Sequence, residues 1–144
     1  MRVYELSGSP IPWMRAGRKG NKYYDKQMSE KTKAQWEVKT AMRGLYSHSE
    51  PIKVVIEFHM PIPKSWPKVK KKRALNKPHS SRPDIDNLLK FVDDSLNQVL
   101  WDDDSIIYEV HIRKFYSQEP KTRILVIPHR GEEMKPLIPE EDYV

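Results

Sequence analysis

Two apolar rhythms organise the chain. Ile52, Val54, Ile56 and Phe58 alternate with Lys53, Glu57 and His59, the period of a β-strand. Val55 interrupts the alternation and predicts a strand covered on both faces. Further on, Ile85, Leu88, Leu89, Val92, Leu96, Val99 and Leu100 fall on one stripe of a helix, with Asp86, Lys90, Asp93 and Asn97 opposite. Asp93 and Asp94 read as solvated helix residues. A second helical repeat, Ala34, Val38, Ala41, Met42 and Leu45, predicts a helix over about 30–46, with Ser29 as its N-cap and Trp36 as a packing residue.

The remaining segments fill in around these. Arg2 to Leu6 reads as a first strand, and Ile106 to Tyr116 and Arg123 to Ile127 as two more, joined by a turn around Ser117 to Thr122. Pro10 to Met28 has no sustained period and predicts a long loop. Pro61 to Pro83 is basic and proline-punctuated, and predicts a flexible loop. The order β-α-β-α-β-β implies an α/β fold, a small mixed sheet packed by two main helices. One domain over 1–130 and a loosely held polar tail over 131–144 are expected.

Charge changes the picture. The chain has 144 residues and a formal charge of +6, a balance that favours a polyanionic partner. Its charges are also segregated. Seven of its 20 acids lie between Asp84 and Asp104, where Lys90 is the sole cation. Just upstream, Lys64, Lys68, Lys70, Lys71, Lys72, Arg73, Lys77 and Arg82 occur with no acid among them. The absence of cysteine excludes disulfides and thiolate zinc sites. No signal core or membrane-spanning stretch is visible, so a cytoplasmic protein with no membrane association is expected.

An acidic knot beside a basic arm suits a protein that holds a divalent cation against a phosphodiester. Carboxylates this dense repel one another unless something positive sits between them. Asp84 and Asp86 stand at a helix start, two residues apart, and in an extended chain would face one side. Lys90 follows Asp86 by four, a spacing that brings its ammonium beside that carboxylate. Asp102, Asp103 and Asp104 end the next loop. Magnesium needs only a few hard oxygen ligands, because it keeps several waters. The plainer alternatives stay open: Asp84 or Asp86 as a helix cap, and the Asp run as ordinary surface. An EF-hand is excluded, because Leu88 and Leu89 fall where an oxygen ligand and a glycine are needed. The five histidines show no metal-ligand spacing; His79 lies nearest the acids in sequence.

The stretch Arg82-Pro83-Asp84-Ile85-Asp86-Asn87-Leu88-x-Lys90, then Asp94-x-Leu96, then Trp101-x-Asp103-Asp104-Ser105, with Lys114 in the following strand, resembles the RusA-like endodeoxyribonucleases, a family of Holliday junction resolvases. The resemblance implies that Asp84, Asp86 and Asp104, with Asp103 beside it, hold Mg2+, for which Mn2+ could substitute. It implies that Lys90 is the active-site lysine. It also implies a homodimer that makes paired nicks across a four-way DNA junction. Lys68, Lys70, Lys71, Lys72, Arg73 and Arg82 then suit phosphate contacts, as do Arg15, Arg18 and Lys19. Trp13, Tyr23 and Tyr24 either stack on unpaired bases or pack in the ordinary way. Two rival functions remain: a DNA-binding module without catalysis, and a metal-dependent nuclease acting on flaps or other branched DNA.

Overall fold

The molecule is built around one strand. β4 (Ile52–Pro61) lies inside a four-stranded sheet of order β1–β6–β4–β5. It runs antiparallel to β6 (Lys121–Pro128) and parallel to β5 (Ile107–Ser117). β1 (Arg2–Ser7) pairs antiparallel with the outer side of β6. The structure, a computed structural model, describes residues 2–140. A parallel pair cannot be joined by a tight turn and needs a crossover. Here the crossover carries α2 (Lys68–Ala74) and α3 (Ile85–Leu96), so every acid of the knot is strung between two neighbouring strands.

Alternation along β4 puts Ile52, Val54, Ile56, Phe58 and Met60 inward, all buried. Against them pack Ala34, Val38 and Met42 of α1 (Met28–Met42), and Leu88, Val92 and Leu96 of α3. Leu100 and Trp101, just past α3, close the same core. Among the described residues the other face of the sheet has no second layer. Val55 is half-buried there between Leu125 and His111, its neighbours in register. The expected cover on both faces is therefore not found; side chains of adjacent strands shield Val55 instead.

The order β-α-β-α-β-β holds, with additions in both segments expected to be loops. Between Pro10 and Met28 stands a hairpin, β2 (Gly17–Lys19) and β3 (Lys22–Tyr24). Gly20 opens its two-residue turn at φ +63°, where a side chain would be strained. The proline-rich arm contains α2, preceded by Pro67 at the N-cap, with Lys71, Lys72 and Arg73 in the last turn, where cations complement the helix dipole.

Helix α1 starts earlier than its repeat predicts and is capped differently. Gln27, not Ser29, is the N-cap residue, and it makes no side-chain cap bond. Its buried carboxamide accepts from Met14 N–H at 2.9 Å and donates to the Pro12 carbonyl at 2.8 Å, fastening the N-terminal loop. The helix ends at Met42, because Arg43 adopts the left-handed conformation; Leu45 falls beyond it, exposed. Trp36 is 67% exposed and is not the packing residue expected. Beyond β6, residues 131–140 are exposed and form no helix or strand; the end of the expected tail, 141–144, lies outside the described residues.

Leu96 is fully buried where α3 meets the sheet. Leu96→Ala is expected to lower unfolding stability by about 3 kcal/mol, measured by chemical denaturation.

Candidate active site

The acid motif sits on the first turn of α3. Asp84 occupies the N-cap position with extended backbone, φ −69° and ψ 145°, yet its carboxylate makes no capping bond. Asp86 lies in the first turn, and both acids are exposed. The capping alternative is thus not what the Asp84 side chain does. Lys90 does not pair with Asp86 either. Its ammonium lies 3.6 Å from the centroid of the Trp13 ring. Trp13 in turn donates its backbone N–H to the Asn87 carbonyl at 2.9 Å, so the N-terminal loop is docked along the first turns of α3.

The entry to α3 is held from the sheet. Lys114 of β5 donates to the Ser81 carbonyl at 2.6 Å and to the Pro83 carbonyl at 2.7 Å. The chain before this bracket runs along β5: Asn76 N–H donates to Tyr116 O, and His79 N–H to Lys114 O. His79 is buried, its ring 4.8 Å from that of Tyr116. Burial, and then the neighbouring Lys114 charge, hold its pKa below the usual histidine value.

The three acids of the second loop have separate tasks. Asp102 is a tether: its carboxylate accepts from Ser47 Oγ, and its N–H donates to the His48 carbonyl at 2.8 Å. Asp103 caps the single 3₁₀ turn Asp104–Ile106, accepting from Ser105 N–H at 3.1 Å. Those Ser105 hydrogen bonds hold its pKa below the ordinary carboxylate value. Asp104 accepts from the indole Nε1 of fully buried Trp101 at 2.7 Å, which anchors one oxygen to the core. Trp101 therefore serves both the core and the acidic loop.

Asp93 is not the solvated residue its position predicts. Burial, then the charges of Asp104 and Asp94, push its carboxyl up to about 7. It lies two helical turns beyond Asp86, about 10 Å along the same face of α3. Asp86, Lys90 and Asp93 thus line one strip, with Asp104 at its far end. Among the described residues Asp84, Asp86, Asp93 and Asp104 form no ion pair, whereas Asp94 reaches Lys31 at 3.9 Å. Hard, unpaired oxygens of this kind suit magnesium. Among the described residues, however, no three His, Asp or Glu side chains converge closely enough to hold an ion, so the four acids form an open strip rather than a closed cage.

The candidate phosphate contacts lie outside this strip. Lys68, Lys70, Lys71, Lys72 and Arg73 lie on α2, Arg82 adjoins Asp84, and Arg15, Arg18 and Lys19 lie on or next to the β2–β3 hairpin. None of them forms an ion pair among the described residues. Lys70 stacks on Trp66 at 4.1 Å, and Trp66 on Tyr116 at 5.5 Å. Trp13 is occupied by Lys90, which leaves Tyr23 and Tyr24 as the open rings of the N-terminal loop. The bracket made by Lys114 and the seat under Lys90 were not assigned from sequence. Lys114 was visible as a strand position, but its carbonyl partners lie over 30 residues away.

The parallel crossover of the mixed sheet thus carries both the acidic strip and a basic helix. The particular family is shown by sequence. Residues 8–127 match the family described as Endodeoxyribonuclease RusA, and the chain belongs to it. It is also similar to a Bacillus subtilis (strain 168) protein named Uncharacterized protein YqaN, 35% identical over 81 residues, 53% of this chain and 56% of that one. The chain thus spans little more than half the length of that relative. Among the described residues no helix is long and apolar enough to cross a membrane.

Asp93 makes this strip testable by pH. A carboxyl whose folded pKa is raised holds its proton more tightly in the folded state. The stabilisation is fully present below the ordinary value of 3.8 and is lost as pH rises through about 7. Asp93→Asn keeps the neutral form at every pH. Its melting temperature should match wild type near pH 4 and exceed it at pH 8; equal melting at pH 8 would show that Asp93 carries no strain.

Proposed function

We propose that this protein is a magnesium-dependent endonuclease that resolves four-way DNA junctions by paired nicks, acting as a homodimer. One observation carries the reading: among the described residues, acids without cationic partners share the β4–β5 crossover with cations without acidic partners. Such an arrangement is incomplete until a metal and a polyanion are added. Membership of the RusA family supports the same chemistry.

In this reading Asp84, Asp86 and Asp104 hold Mg2+, or Mn2+ in its place, and Asp103 supports the turn that presents Asp104. The bound ion would supply an activated water and offset charge growing on the scissile phosphate. The chain's own residues do the rest. Lys114 positions Asp84 by fixing the two carbonyls before it. Lys90, exposed one turn past Asp86, is placed to meet a phosphate oxygen. Arg15, Arg18, Lys19, Lys68, Lys70, Lys71, Lys72, Arg73 and Arg82 contact the backbone of the DNA without reading its sequence. A second copy has a surface to cover: the open face of the sheet aligns Val3, Leu125 and Val55 in register, beside Glu5, Arg123 and Glu57. Two such sites related by a two-fold axis would match a branched substrate of similar symmetry.

The direct test is cleavage of a labelled four-way junction, its linear duplex and a flapped duplex, with magnesium or chelator. Wild type should nick the junction symmetrically and only with metal. Asp86→Asn should lose cleavage by at least about a hundredfold while keeping or gaining junction affinity, because it removes a charge that repels phosphate. Cleavage retained by Asp86→Asn would remove the site assignment. Preference for the flap would change the substrate and keep the chemistry, and binding without any cut would leave a DNA-binding module.

The arm is tested separately. Lys70→Ala combined with Lys71→Ala and Lys72→Ala should weaken DNA binding and reduce the slope of log affinity against log salt by roughly two to three. An unchanged slope in a salt titration would place the arm away from DNA.

A further inference from the structure

The β2–β3 hairpin lies apart from the main sheet. Two strands of three residues bury too little to be stable alone. The ribbon stands because its root is clamped on both sides. On the incoming side Trp13 is bonded to Asn87 O and sits under Lys90. On the outgoing side buried Gln27 binds the main chain of Pro12 and Met14. Gly17 completes the clamp, since any side chain there would strike the Tyr24 ring. Gly17 follows Trp13 by four positions, at most about 14 Å of chain, so the ribbon rises next to the helix that bears the acid motif.

What the ribbon displays has no acidic partner among the described residues, and its rings are exposed. Tyr23 is 72% exposed and Tyr24 50% exposed. The Arg18 guanidinium lies 5.7 Å from the Tyr23 ring centroid, so a flat cation and a flat ring share one surface. Arg15, Arg18, Lys19 and Lys22 occur there with no acid between Glu5 and Asp25, and Asp25 is engaged by Lys31 at 2.8 Å. A rigid root, an exposed aromatic face and unneutralised cations make a surface for a flat anion-bearing ligand. A nucleobase with its phosphate has that chemistry. Paired bases keep their faces stacked inside a duplex, while bases at a branch point can be reached.

We propose that the β2–β3 ribbon is a branch probe, with Tyr23 stacking on an unpaired base and Arg18, Lys19 and Lys22 holding the adjoining phosphates. The proposal rests on the nuclease reading for the origin of its substrate, and it names the structural feature of DNA that is recognised.

The test uses the full chain carrying Asp86→Asn, which leaves the DNA uncut, and a four-way junction with 2-aminopurine either at the branch point or deep in one arm. Binding should change the emission of the branch-point probe and not that of the arm probe. Tyr23→Ala should abolish the change and weaken junction affinity on the order of tenfold, with linear-duplex affinity unaltered. Tyr23→Phe, which keeps the ring, should restore both. Equal junction affinity and emission for Tyr23→Ala would overturn the probe. Wild-type cleavage of the junction is scored in parallel. Cleavage with a Tyr23-independent signal removes the probe and keeps the nuclease. A Tyr23-dependent signal on single-stranded oligonucleotide, with no cleavage of any substrate, keeps the stacking surface and removes the nuclease.

Discussion

Lys114 occupies a position where a hydrophobic side chain would be expected. It pairs in register with Phe58, an inward residue of β4, so β5 directs a lysine toward the helix side of the sheet. Burying even part of an ammonium is costly unless its donors are used. Here two of them are given to the carbonyls of Ser81 and Pro83, which the crossover leaves without strand partners. One side chain therefore removes two polar penalties and sets where α3 begins. Asp84 and Asp86 follow within three residues, so the entry to the acid motif is tied to the sheet by these two hydrogen bonds. The loop carrying Asp104 is tied to the same core by Trp101, which makes the two acidic groups parts of one frame.

The fold was legible where the sequence carries a period. The alternation of β4 and the stripe of α3 belong to elements with one apolar face against a common core. β4 lies where expected, and α3 does so as far as Leu96, ending at its C-cap Asn97 before Val99 and Leu100 of the expected stripe. The ribbon and α2 were not legible for the same physical reason. Strands of three residues are too short to show a period, and α2 buries no residue. Each is held by distant partners: Asn87 and Lys90, which seat Trp13, for the ribbon, and Tyr116, tilted against Trp66, for α2. Trp36 misled in the opposite direction. Size and apolarity suggested packing, but its face of α1 looks away from the sheet.

The candidate site shows a similar division. Asp84, Asp86, Lys90 and the Asp run stood out because they are clustered in sequence and local spacing places them on adjoining turns. Their individual tasks did not stand out. Three consecutive aspartates look equivalent until Ser47, 55 residues away, takes the first. Ser105 then takes the second, and Trp101 the third. Asp93 likewise has an ordinary neighbourhood in sequence, and burial first, then the charges of Asp104 and Asp94, makes it a weak acid.

The return of the basic arm along β5 has a thermodynamic consequence. Asn76 and His79 donate to β5, Pro78 bridges to Phe115, and Trp66 rests on Tyr116, so α2 is fastened at both ends. Ordering a residue costs about 1–2 kcal/mol of backbone entropy. For the seven residues of α2 that cost is met when the chain folds, not when a polyanion arrives. A disordered arm of the same composition would spend part of its Coulombic attraction on becoming ordered. An arm already shaped spends none of that attraction on ordering, so in the proposed reading the counterions it displaces would govern its affinity.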